Sequence, residues 1–156
     1  MKRILLPALL TLSLVLAACS ATVAQNDSQP APVSGESSSP SNDSAMRIDE
    51  QGEIIFEITP LNLDSPTETF EFDVVMTTHS IDLSMDLATL STLTTDTGVS
   101  VESTLWDAPR GGHHVEGKLI FPATKDGKPI LEGATKLTLT VINVDAPTRI
   151  FEWDLK

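Results

Sequence analysis

The stretch Thr69–His79, TFEFDVVMTTH, decides the fold. Phe70, Phe72, Val74 and Met76 take alternate positions, and Glu71, Asp73 and Thr77 stand among the positions between them. Successive side chains of an extended strand point to opposite faces. The alternation therefore predicts a strand with one face in a core and the other in water.

Working outward, the same period recurs. EIIFEIT (Glu53–Thr59) sets Ile54, Phe56 and Ile58 against Glu53 and Glu57. VEGKLIF sets Val115, Gly117, Leu119 and Phe121 against Glu116, Lys118 and Ile120. TKLTLTVINV sets Leu137, Leu139 and Val141 against Lys136, Thr138 and Thr140, and RIFEWDL sets Phe151, Trp153 and Leu155 against Glu152 and Asp154. Turn signals separate these runs at Pro60, Asp64-Ser65-Pro66, Pro109 to Gly112, Lys125-Asp126-Gly127 and Asp145-Ala146-Pro147. Asp96-Thr97-Gly98 joins LSTLTT to VSVESTLW as a predicted hairpin. Ser80–Leu93 is ambiguous and leaves room for a short helical turn at Asp86–Leu90.

Together these features predict an all-β fold. It is an immunoglobulin-like antiparallel β-sandwich of seven or eight strands, occupying residues 46–156. Those 111 residues suffice for one domain with a single core. The Cys–Trp–Cys signature of true immunoglobulin domains is missing, so the likeness is one of layout.

The N-terminus predicts an address. Met1-Lys2-Arg3 is a basic start, and the apolar run Ile4–Leu16 is shorter than the about 20 residues a membrane-spanning helix needs. Residues 1–18 read as a secretory signal peptide. Leu16-Ala17-Ala18-Cys19 resembles the lipobox of bacterial lipoproteins, in which the cysteine is lipidated and becomes the new N-terminus. Cys19 is the only cysteine, and lipidation accounts for a thiol that would otherwise stand unpaired on an exported chain. Residues 19–45 continue as a disordered Ser/Pro-rich tether, too poor in bulky apolar side chains to offset the entropy of ordering. Its 26 residues after Cys19 span roughly 28 Å as a random coil. The expected location is the outer face of the cytoplasmic membrane or an outer membrane, with the lipid as anchor.

Charge narrows the partners. The chain carries a net charge of −12, and removal of Lys2 and Arg3 with the signal leaves 8 basic and 22 acidic residues, or −14. Such a domain is repelled by nucleic acid and by anionic headgroups, so no nucleic-acid partner is expected. An envelope protein is the expected kind of partner.

Two segments depart from the strand pattern: MTTHSIDLSMDL (Met76–Leu87) and WDAPRGGHHVEG (Trp106–Gly117), which hold all three histidines. One reading is a copper or zinc site, since imidazole suits both metals. His79 would act with His113 or His114, because neighbours in a strand point to opposite faces. The third ligand would be Asp107, Asp82 or a methionine. The other reading is structural: Gly111-Gly112 supplies a turn needing positive φ, and a histidine beside it bonds a backbone carbonyl or a carboxylate. There is no G-x-S-x-G elbow, phosphate-binding glycine loop or H-E-x-x-H segment, and an enzyme is not expected.

THSIDL, WDAPRGGHH, GKLIFP and RIFEWDL resemble an uncharacterised family of small exported bacterial β-sandwich proteins, over Ile54–Leu155. The resemblance implies fold and export and brings no activity. The expected role is that of a binding or interaction module on a lipid anchor, with the metal-binding lipoprotein as alternative.

Overall fold

The alternating runs form antiparallel ladders in the computed structural model, which describes residues 45–156. The signal segment 1–18, Cys19 and the 19–45 tether up to Ser44 lie outside the described residues. The strands are β1 (Arg47–Asp49), β2 (Ile55–Pro60), β3 (Thr69–Thr77), β4 (Ser91–Thr95), β5 (Ser100–Glu102), β6 (Leu105–Asp107), β7 (His114–Pro122), β8 (Thr124–Lys125), β9 (Lys128–Pro129), β10 (Lys136–Ile142) and β11 (Thr148–Asp154). A five-stranded sheet runs β1-β2-β3-β7-β6, a four-stranded sheet runs β11-β10-β4-β5, and β8-β9 form a separate ribbon.

The expected seven or eight strands are corrected to eleven among the described residues. The surplus lies in pieces of two or three residues, such as β1, β8 and β9, which are too short to display a period. VSVESTLW is also not one strand. Its first half is β5 of the four-stranded sheet and its second half is β6 of the other. Ser103 and Thr104 make the crossing, where the Thr104 N–H and the Ser103 hydroxyl both donate to the Ile120 carbonyl at 2.8 Å.

Register carries the sequence period into the core. Phe72 stands opposite Pro60 on one side and Leu119 on the other, and Leu139 stands between Leu93 and Phe151. All these side chains are buried, and each contributes about 1.5–3 kcal/mol by leaving water. Aromatic rings join the sheets: Phe56 lies 6.2 Å from Phe151 and Phe72 lies 5.4 Å from Trp153. Phe72 also meets Phe121 edge-on at 5.7 Å, a favoured quadrupole arrangement. The expected helical turn is present as a 3₁₀ turn, Leu87–Leu90. Its N-cap Asp86 accepts from the Ala88 N–H at 3.1 Å while Leu87 enters the core. Among the described residues no helix is long and apolar enough to cross a membrane.

Candidate functional site

The two unusual segments meet at one end of the five-stranded sheet. The Thr78 N–H donates to the His113 carbonyl at 2.9 Å, which prolongs the β3–β7 ladder by one residue. Beyond it the Leu83 N–H donates to the Gly112 carbonyl at 2.9 Å, and the Gly111 N–H donates back to the Leu83 carbonyl at 3.0 Å. The Asp82 carboxylate accepts from the Gly112 N–H at 2.7 Å. Gly111 and Gly112 have φ of +87° and +92°, values that L side chains rarely adopt. The Pro-Arg-Gly-Gly run is thus a turn bent to return its backbone groups to the Asp82–Leu83 segment. Arg110 adds an ion pair to Asp86 at 2.9 Å. The Asp86 carboxyl is held below the usual range by Arg110 and by the Ala88 N–H.

All three histidines are exposed. Thr77 pairs with His114, so their side chains share the outer face of the sheet, and Thr77 Oγ1 lies 3.0 Å from His114 Nδ1. His79 lies two residues past the end of β3, in a bend, and His113 lies just before β7, so strand alternation sets the face of His114 alone. The two segments bring the histidines to one end of the sheet, where His114 has Thr77 as its partner. Asp107 does not join them. It pairs with Lys118, four residues along β7 from His114 and so roughly 13 Å away. Met76 is fully buried in the core, and the Asp82 carboxylate is engaged with Gly112. Among the described residues, no group of three or more His, Cys, Asp or Glu stands together as a metal-holding set.

A second cluster escaped the sequence reading. Arg149 in β11 has no exposed surface. Its Nη1 pairs with the Asp49 carboxylate, Nη2 donates to the Gln51 carbonyl, and Nε donates to the Val144 carbonyl at 3.1 Å. Its guanidinium sits 4.7 Å from the centre of the Phe56 ring, a cation–π contact. Burial pushes the Asp49 carboxyl up. Hydrogen bonds from Gln51 and the charge of Arg149 outweigh that effect and hold it below the ordinary carboxylate range. The signal was present in RIFEWDL, since Arg149 has the parity of Phe151 and Trp153. Around this clasp, Arg47 Nε donates to the Glu152 carbonyl at 2.7 Å and Trp153 Nε1 donates to the Ala45 carbonyl at 2.5 Å. The described chain thus starts out fastened to its own last strand.

A surface cleft of about 700 Å³ opens at that same end, with Leu61, Leu63, Leu131 and Leu155 around Trp153 and with Arg47 and Asp154 on its walls. The lining is mixed, apolar on the leucines and charged at the margins, and it converges on no reactive group.

No family model and no curated protein matches this chain. Among solved structures it is similar to the crystal structure of a DUF4426 family protein from Pseudomonas aeruginosa PAO1. The identity is 12%, the match covers 70% of this chain and 94% of that one, and the TM-score is 0.41. DUF4426 is a family without an assigned role, and a likeness at this score says nothing of activity.

Proposed function

We propose that the protein is a bacterial lipoprotein. Cys19 carries the lipid, residues 19–45 form the tether, and the β-sandwich of residues 46–156 is a non-enzymatic binding or interaction module outside the cytoplasm. The observation that carries this reading is Leu16-Ala17-Ala18-Cys19 after a basic start and a short apolar run, with Cys19 the sole cysteine. Anchoring at that point suits a body that rests on its own hydrophobic core. Several acyl chains together hold a protein at a membrane, since each buried CH₂ adds about 0.8 kcal/mol.

Strand order supports the immunoglobulin-like layout within this reading. Lettering β2, β3, β4, β5, β6, β7, β10 and β11 as A, B, C, C′, D, E, F and G turns the sheets into A-B-E-D and G-F-C-C′, with β1 outside A. That is the constant-type order with two strands added, β5 beside C and β1 beyond A.

The test is acylation. Cells expressing the full chain and fed labelled palmitate incorporate label and hold the protein in the membrane fraction, and Cys19→Ser loses both. A wild-type chain that stays unlabelled and soluble overturns the reading. The alternative is copper or zinc held by His79 with His113 or His114, which draws on the meeting of their two segments at one end of the sheet and needs a further ligand. Calorimetric titration of the wild type and of His79→Ala with each metal decides it. Saturable binding lost in the variant favours the metal site, and no saturable binding removes it.

A further inference from the structure

Residues 45–51 are held differently from the rest of the sandwich. None of residues 45–53 is buried, and the hydrophobic core begins at Ile54. β1 meets β2 through three pairs, Arg47 with Ile58, Ile48 with Glu57 and Asp49 with Phe56. Its other fastenings reach β11 in the opposite sheet. Trp153 Nε1 donates to the Ala45 carbonyl at 2.5 Å, and Arg47 Nε donates to the Glu152 carbonyl at 2.7 Å. The Arg47 guanidinium also lies 5.8 Å from the centre of the Trp153 ring. Further along, Arg149 holds the Asp49 carboxylate and the Gln51 carbonyl, and Gln51 Nε2 donates to the Thr148 carbonyl at 3.4 Å. The segment thus runs antiparallel to β11 along the side where the two sheets end in β1 and β11. It stops against the β10–β11 turn. There the Asp145 carboxylate accepts from the Glu53 N–H, and a Cβ built on Gly52 would fall 2.4 Å from that carboxylate.

From this arrangement we infer that residues 45–51 are a releasable strap. They let go of the sandwich as one unit while the sandwich stays folded, and they yield first when the chain preceding them is pulled. The yielding role rests on the anchored-module reading, whereas release as a unit does not. Shared hydrophobic burial makes the core strands stand or fall together, and the strap has no part in it. Segments with few buried apolar contacts and exposed hydrogen bonds open at the lowest free energy. Tension entering at Ala45 loads the fastenings one after another, because each faces its own point along β11. The clasp of Arg149 on Asp49 is among the last reached, and charge-assisted bonds are the stronger kind. Arg149 therefore sets the tension at which the strap yields. Gly52 and Glu53, packed on Asp145, stop the peeling before Ile54. Release lengthens the tether by up to roughly 24 Å, at about 3.4 Å per residue, and leaves the hydrophobic core in place.

The experiment uses the chain from residue 19 onward carrying Cys19→Ser. In hydrogen exchange followed by NMR, the β1 amides bonded to β2 and the Trp153 indole N–H are expected to share one opening constant. That constant is expected to exceed that of the slowest β3 and β7 amides by about a hundredfold or more. Low urea is expected to leave it unchanged, since the opening exposes little surface. Asp49→Ala combined with Arg149→Met removes the clasp without leaving a lone charge. It is expected to raise the ratio of strap to β3 exchange by about tenfold. Drawn in optical tweezers between residue 19 and Lys156, the wild type is expected to extend by the short strap step before the sandwich opens. The double variant is expected to make that step at lower force. Strap probes that exchange at the β3 rate overturn the inference, as do β1 amides and an indole with unrelated constants. A single opening with no earlier step overturns the yielding role. None of these readouts needs lipid, so failure of labelling at Cys19 strikes the anchor and not the release of the strap.

Discussion

Arg149 brings a full positive charge to the inner face of β11, and what it meets there sets the cost. Removing a guanidinium from water costs several kcal/mol unless paired and hydrogen-bonded. Asp49, the Gln51 and Val144 carbonyls and the Phe56 ring supply that compensation. Asp49→Ala leaves the cation buried and unmatched, and is expected to cost about 3–5 kcal/mol in urea unfolding. Adding Arg149→Met to it removes the orphan charge, so the double variant is expected to lose less than the two single losses combined. Simple additivity would show that the pair is not coupled. The pH dependence follows in sign. The folded Asp49 carboxyl lies below its unfolded value of 3.8, so its stabilisation is present above about pH 4 and is lost as pH falls through the folded pKa. The gap between wild type and Asp49→Ala is expected to close over that window.

Among the elements, the Pro109–Gly112 turn is the clearest case of shape set by backbone. Gly112 has φ of +92°, and a Cβ built there meets nothing within 4 Å, so the obstacle to a side chain is conformational and not steric crowding. Gly112→Val is expected to cost more than His114→Ala, whose exposed ring gives up one bond to Thr77. Equal melting temperatures for the two variants would contradict this. The edges of both sheets also follow a rule. Lys125 Nζ donates to the Ser100 carbonyl of β5 at 2.7 Å, and the Ser103 hydroxyl donates to the Leu105 carbonyl of β6 at 3.3 Å. Arg47 and Gln51 donate to the Glu152 and Thr148 carbonyls of β11. Side chains occupying edge carbonyls discourage pairing with another strand. These contacts were not legible from the sequence, because each joins residues set side by side only by folding. The alternating strands were legible because period two needs no tertiary information.

At the scale of the whole molecule, 22 acidic and 10 basic residues make the surface self-repelling. Screening relieves that repulsion over a Debye length of about 8 Å at 0.15 M salt, while a buried pair such as Arg149–Asp49 is screened far less. The thermal midpoint is therefore expected to rise from low salt to about 0.15 M. A flat or falling midpoint in differential scanning calorimetry would mean that exposed ion pairs such as Lys118–Glu71 outweigh the net charge.

By itself the sequence determined the all-β class, the inward residues of the long strands and the Asp96–Gly98 hairpin, and it left room for the short helical turn near Asp86. Each of these is a local pattern, written by the two-residue period of a strand or by the chemistry of a turn. Only the tertiary structure decided which strands neighbour which, that VSVESTLW divides between two sheets, and that Arg149 finds Asp49 a hundred residues away. It also separated Asp107 from the histidines and set Thr77 opposite His114. Such outcomes depend on register and packing between distant segments. Composition and spacing along one strand do not contain that information, because the energy that selects a partner arises only when both surfaces leave water together.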